Sequence, residues 1–302
     1  SPTCGRGAGG EGCGKAPSPQ PSPVNGRGGD PTWIAMTTMT NYQHIELEID
    51  ARGIATLWMN RPDKNNAFNS QTISELLLAL DAVGADPSVR LLVLRGRGKH
   101  FCAGGDLGWM QEAATLDFNG NLADARNLAE LLYNLYHLKK PTLAVVQGAV
   151  FGGGVGLVSC CDMAIGADNA QFSLSEVRIG LMPATISPFV VKAMGARAAR
   201  RYSLTAERFD GNKAAQLGLL SEAYALDELD AQAASWISNL LLNSPQALVA
   251  CKALYNEVSA GELTPALRRS TESAIARIRV SPEGQEGLHA FLEKRKPSWQ
   301  EQ

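Results

Sequence analysis

The chain has 302 residues, enough for one large domain or two small ones. Its composition, 45% hydrophobic and 19% charged, is that of an ordinary globular protein. A net charge of −2 gives no general electrostatic reason to bind nucleic acid or an anionic membrane.

Residues 1–38 differ from everything after them. Gly, Pro, Ser and charges dominate, and no apolar run resembles a secretion signal. Glu11 and Asp30, without an amphipathic helix, argue against a mitochondrial transit peptide. A disordered leader is expected over 1–38, with Met36 or Met39 as a plausible start. An α/β core is expected over 39–230 and a helical region over 231–302.

Residues 43–49 (QHIELEI) alternate polar and apolar as a half-buried strand does, and 54–59 (IATLWM) pairs with them as a hairpin. A polar loop, NRPDKNNAFNS, leads to helix signals. Thr72 and Glu75 fit a capping box, Ile73, Leu76, Leu77, Leu80 and Val83 make one apolar face, and Asp86-Pro87 ends the helix. Residues 90–95 form a short apolar strand suited to a sheet covered on both faces.

The loop GRGKHFCAGGDL that follows contains fragments of phosphate-binding patterns. Phe101 stands where a dinucleotide-binding turn needs its third glycine, and Val93 and His100 break the Walker pattern. Gly104 and Gly105 remain as a small-residue turn that lets a ligand approach the backbone. A helix over 121–138 is predicted to bury Leu122, Leu128, Leu131, Leu132 and Leu135.

Residues 141–176 organise the chain. They read as a buried strand, three consecutive glycines at 152–154, a short apolar helix, and a lone carboxylate, Glu176, among apolar residues. A glycine turn feeding a helix leaves backbone N–H groups aimed outward with the positive end of the helix dipole behind them, which suits a developing oxyanion. Residues 141–161 carry no charge, and Gly148, Gly152 and Gly156 repeat the GxxxG spacing of membrane helix pairs. Three adjacent glycines would cost a helix roughly 2–3 kcal/mol relative to alanine, so strand–turn–helix is the better reading. From 195 onward the pattern is all helical, at 195–203, 211–217, 227–242, 245–259, 264–279 and 283–294, with Ser281-Pro282 as an N-cap followed by proline. Six cysteines, at 4, 13, 102, 160, 161 and 251, form no CxxC pair, so buried thiols in a reducing cytoplasm are expected rather than a zinc site.

The motifs NRPDKNNAFN, FCAGGDL, GAVFGGGVGL, CCDMAIGADNAQFSLSEVRIGLMP and FLEKRKPSW resemble, in order and spacing, the enoyl-CoA hydratase/isomerase (crotonase) superfamily over about 42–299. The resemblance implies a crotonase-like spiral of ββα units with a helical C-terminal trimerisation region, a homotrimer or dimer of trimers, and an acyl-CoA thioester substrate. It implies no metal and no cofactor beyond the CoA carried by the substrate. By position the thioester oxygen would be held by the N–H groups of Gly105 and Gly153. Family hydratases usually use two glutamates. The second matches Glu176, while Gly156 occupies the place of the first.

That departure leaves two readings of Gly156: close helix packing, or room for a branched or carboxylated acyl group. Around the two turns the resemblance assigns Ala103, Asp106, Leu107 and Gly156 to substrate binding, although Asp106 also fits a helix cap. The loop after NRP suggests Lys64 and Ala67 for CoA, and Phe291 and Lys294 for a neighbouring subunit's CoA. The segment SEVRIGLMPATISPFVVKAMG looks like the subset acting on 3-methylglutaconyl-CoA, in leucine degradation. Arg178 lies near Glu176 in sequence, but strand alternation could point it away. A Δ3,Δ2-enoyl-CoA isomerase needing one base is the alternative, naphthoate-synthase relatives are a third, and an RNA-binding member of the fold is the non-enzyme alternative.

Overall fold

A computed structural model describes residues 42–300; the leader expected over 1–38, with Cys4 and Cys13, lies outside the described residues. Two sheets form the α/β part. The larger has six strands in the order β1-β2-β3-β4-β6-β9. They are β1 Ile45–Ile49, β2 Ile54–Met59, β3 Leu91–Gly96, β4 Thr142–Val146, β6 Met163–Ala167 and β9 Glu222–Tyr224. Only β1 and β2 are antiparallel, as the hairpin pattern predicted; every later pairing is parallel. All five residues of β4 are buried, which is what strands covered on both faces require.

The smaller sheet joins β5 Ala149–Phe151, β7 Gln171–Ser173 and β8 Phe209–Asp210. It stands at the end of the larger sheet because β4 runs straight into β5 through Gln147 and Gly148. The helices are α1 Ser70–Ala85, α2 Leu107–Thr115, α3 Phe118–His137, α4 Gly153–Cys160, α5 Ser187–Thr205, α6 Gly211–Gln216, α7 Leu229–Leu241, α8 Pro245–Ala260, α9 Pro265–Arg279 and α10 Pro282–Leu292. Among the described residues no helix is long and apolar enough to cross a membrane, and of the GxxxG glycines Gly148 falls in the bend between β4 and β5, Gly152 in a turn and only Gly156 within a helix.

Four expectations are corrected. The first helix is capped by Asn69, whose side chain accepts the Thr72 N–H, so Thr72 lies inside the helix. Glu75 instead accepts the N–H groups of Gln43 and His44, tying α1 to the first strand. Residues after 195 are not all helical: β8 and β9 intervene, and β9 extends the main sheet beside β6. Leu122 is exposed, whereas Leu131, Leu132 and Leu135 are buried as predicted. Of the described cysteines, Cys102 and Cys160 are buried, Cys161 is partly so, and Cys251 is exposed.

Candidate active site

Three segments meet where the two sheets join. The first is the loop 60–69. Asn66 is buried, and its amide donates to the carbonyls of Arg97 (2.9 Å) and His100 (2.7 Å), binding this loop to the one after β3. Phe68 then pairs with Gly105 as an isolated parallel bridge. Its N–H donates to Gly104 O at 2.7 Å, and its carbonyl accepts the Asp106 N–H at 2.8 Å. In an extended chain successive peptide groups face opposite sides, so the Gly105 N–H is turned away from Phe68.

The second segment is the glycine turn. Gly152 has φ 50° and ψ −116°, a conformation that a side chain would strain, and it caps α4. Its N–H donates to Ser173 O, so the free donors begin at Gly153, the first residue of the helix. Among the described residues neither the Gly105 nor the Gly153 N–H donates a hydrogen bond, and both glycines are part-exposed. The turns adjoin: a methyl group on Gly152 would lie 3.9 Å from Gly104 Cα. The segments leading to them are joined by a small backbone ladder: Phe101 N–H to Gln147 O (2.9 Å), Cys102 N–H to Ala149 O (3.1 Å) and Phe151 N–H to Cys102 O (2.9 Å).

The third segment follows β7 and begins a 3-10 turn at Glu176–Ile179. The same methyl group on Gly152 would come within 3.2 Å of Glu176 Oε1, so the carboxylate faces the glycine turn. Glu176 Oε2 is buried and has no hydrogen-bond partner among the described residues. Desolvation pushes its carboxyl above the ordinary range, and its own N–H offsets only part of that. A carboxyl left unpaired beside two unpaired N–H groups is a costly arrangement unless something else satisfies it.

The other predicted residues fall around this centre. Asp106 caps α2 by accepting the Gly108 N–H and pairs with Arg61 at 3.0 Å. Partial burial opposes its ionisation, but the Gly108 N–H and the Arg61 guanidinium outweigh that and hold its carboxyl below the usual range. Ala67 is buried, and its carbonyl accepts from Arg61. Ala103 donates to Asn65 O, while Lys64 and Leu107 are exposed. Phe291 and Lys294 are exposed at the end of α10, which packs on α8 and α9; no hydrogen bond or ion pair joins them to the Glu176 cluster.

Gly156 is buried, and the room expected beside it is filled: a Cβ there would stand 2.4 Å from Ile186 Cγ2. Gly156 thus serves the close packing of α4 on α5. Arg178 lies in the 3-10 turn rather than a strand, and its guanidinium donates to Ala206 O. Sequence reasoning missed Ile186, Asn66 and Phe68. In sequence Asn66 is one polar residue in a polar loop, and only its burial and its partners single it out.

The family profile described as Enoyl-CoA hydratase/isomerase matches residues 50–302. A crotonyl-CoA hydratase of Syntrophomonas wolfei is 31% identical over 264 residues, 85% of this chain and 98% of that protein. The crystal structure of an enoyl-CoA hydratase from Shewanella pealeana superposes with a TM-score of 0.83 at 46% identity, covering 86% of this chain and 97% of that one. Pseudomonas aeruginosa AtuE superposes with a TM-score of 0.82 at 40% identity, covering 85% and 99%. A match this long, on a fold whose two glycine turns and orphan carboxyl converge, identifies the chain as a member of the enoyl-CoA hydratase/isomerase family.

Proposed function

We propose that this protein is a lyase that adds water to an α,β-unsaturated acyl-CoA, with Glu176 as its single general acid/base. The observation that carries the reading is the buried, unpartnered Glu176 Oε2 beside the two free N–H groups of Gly105 and Gly153. Those N–H groups would donate hydrogen bonds to the thioester oxygen as it gains charge, drawing electrons from the β-carbon. The ionised Glu176 takes a proton from water as its oxygen bonds to the β-carbon. The carboxyl so formed returns that proton to the α-carbon, and the thioester carbonyl reforms. The raised proton affinity of Glu176 suits both halves, since a carboxyl nearer neutrality holds and releases a proton more evenly.

The acyl group we favour is branched, of the 3-methylglutaconyl type, as in leucine breakdown. With Ile186 seated against Gly156, its room has to come from elsewhere in the groove. We assign Lys64, Ala67, Ala103, Asp106 and Leu107 to binding of the CoA substrate. We further propose a homotrimer or dimer of trimers in the cytoplasm, with Phe291 and Lys294 reaching the CoA of a neighbour. A single carboxylate equally serves a Δ3,Δ2-enoyl-CoA isomerase, which only moves one proton.

The experiment is turnover of 3-methylglutaconyl-CoA, crotonyl-CoA and a 3-enoyl-CoA in parallel, with wild type and Glu176→Gln. Hydration is expected, falling by about 10²–10⁴ in the variant. Conversion of the 3-enoyl-CoA to its 2-enoyl isomer without hydration of any substrate overturns the hydratase reading in favour of the isomerase.

A further inference from the structure

The ladder between the two glycine turns has one rung that is not backbone to backbone. In an extended strand the N–H and C=O of one residue face the same side. The Ala149 carbonyl accepts the Cys102 N–H, so the Ala149 N–H also faces the loop after β3. The carbonyl two residues before Cys102 on that loop, that of His100, which the parallel register would offer to it, is occupied by the Asn66 amide at 2.7 Å. The Ala149 N–H donates instead to His100 Nδ1 at 2.9 Å. A peptide N–H can only donate, so Nδ1 accepts and the ring proton sits on Nε2. The fold leaves space for this contact: a Cβ on Gly148 would stand 2.6 Å from His100 Nδ1 and 2.1 Å from Lys99 O.

We propose that His100 is a positioning residue of the oxyanion site, its Nδ1 fixing the strand that leads to Gly153 against the loop that carries Gly105. The inference rests on the proposed use of those two N–H groups. His100 touches no reacting atom. It acts by holding Ala149 four residues before Gly153 while its own main chain continues five residues to Gly105. Loss of the rung lets the two segments slide, and the two donors cease to point at one oxygen.

The test uses the full-length protein and two variants. Asparagine places Oδ1 at the same number of bonds from the backbone as Nδ1 and can accept the same N–H. Leucine has similar bulk and accepts nothing. With crotonyl-CoA, His100→Leu is expected to lower kcat by about ten- to a hundredfold while KM stays within about threefold, and His100→Asn to retain most of kcat. The absorption of bound cinnamoyl-CoA, which shifts to longer wavelength as its thioester carbonyl is polarised, is expected to shift in wild type and His100→Asn and much less in His100→Leu. A purely structural role would lower stability but leave kcat and the spectrum of the folded enzyme unchanged. Amide exchange supplies a reading independent of turnover: the Ala149 N–H is expected to exchange slowly in wild type and His100→Asn.

Wild-type kcat in His100→Leu, equal impairment in both variants, or fast Ala149 exchange in wild type overturns the inference. If His100→Leu does not fold, the His100→Asn kinetics and the wild-type exchange decide it. If wild type fails to hydrate crotonyl-CoA, the spectral shift and Ala149 exchange still judge His100, while the reaction assignment falls by itself.

Discussion

Glu176 is held in a state that water would not choose, and the cost can be measured. Its carboxyl binds a proton more tightly in the fold than in the unfolded chain, because burial disfavours the anion. Between the ordinary carboxylate value and the raised one, the folded state holds more protons than the unfolded state. Stability from this group is therefore full at acid pH and is lost as pH rises through the raised value. Glu176→Gln is expected to be more stable than wild type at pH 7–8 and no more stable near pH 4, read from urea midpoints at both. The acid limb of kcat/KM in wild type is expected to follow Glu176, rising with pH as the base form appears. The sequence showed this carboxylate and both glycine turns because each stands out against its neighbours. Asn66, His100 and Ile186 did not stand out. The bonds of Asn66 and His100 cross 34 and 49 residues to reach their partners, a separation no local pattern records.

Helices bring two further contacts under test. The Asp162 carboxylate, in the turn after α4, accepts the Thr142 N–H and hydroxyl and pairs with Lys252 at 2.8 Å. Lys252 is on α8 and only 8% exposed, so this pair fastens a C-terminal helix to the start of β4. Asp162→Ala leaves that lysine buried without its counter-ion and is expected to cost about 3 kcal/mol, measured by urea denaturation. Between α4 and α5, Gly156→Ala forces a methyl group against Ile186 and is expected to cost on the order of 1–3 kcal/mol. Ile186→Ala in the same chain is expected to restore part of that, because the obstructing methyl is gone. Elements with several periods were legible: α1, α3 and the C-terminal helices lie close to where their apolar spacing put them. The strands β8 and β9 were not, being two and three residues long, too short for an alternation to show. The cap of α1 was misplaced because FNSQT offers several capping side chains in a row, and only the fold shows that Asn69 is the one used.

At the scale of the whole molecule, a single chain leaves large apolar side chains in water. Leu107 and Phe118 are each 78% exposed and Phe291 is 82% exposed. For the proposed trimer, sedimentation is expected to give three or six times the chain mass of 32.2 kDa, and the thermal midpoint is expected to fall on dilution. Sequence patterning reached the α/β class and the helical end of the chain, but not which apolar faces stay exposed on the single chain, since an apolar helix face reads alike whether it meets its own core or water. The two N–H groups at Gly105 and Gly153 carry a different consequence, one for heredity. A peptide N–H is supplied by every residue except proline, so hardly any single codon change can delete these donors outright. What mutation can reach is the wall around them. If these donors polarise the thioester as proposed, a lineage can try new acyl groups one side chain at a time while they pass from parent to descendant untouched.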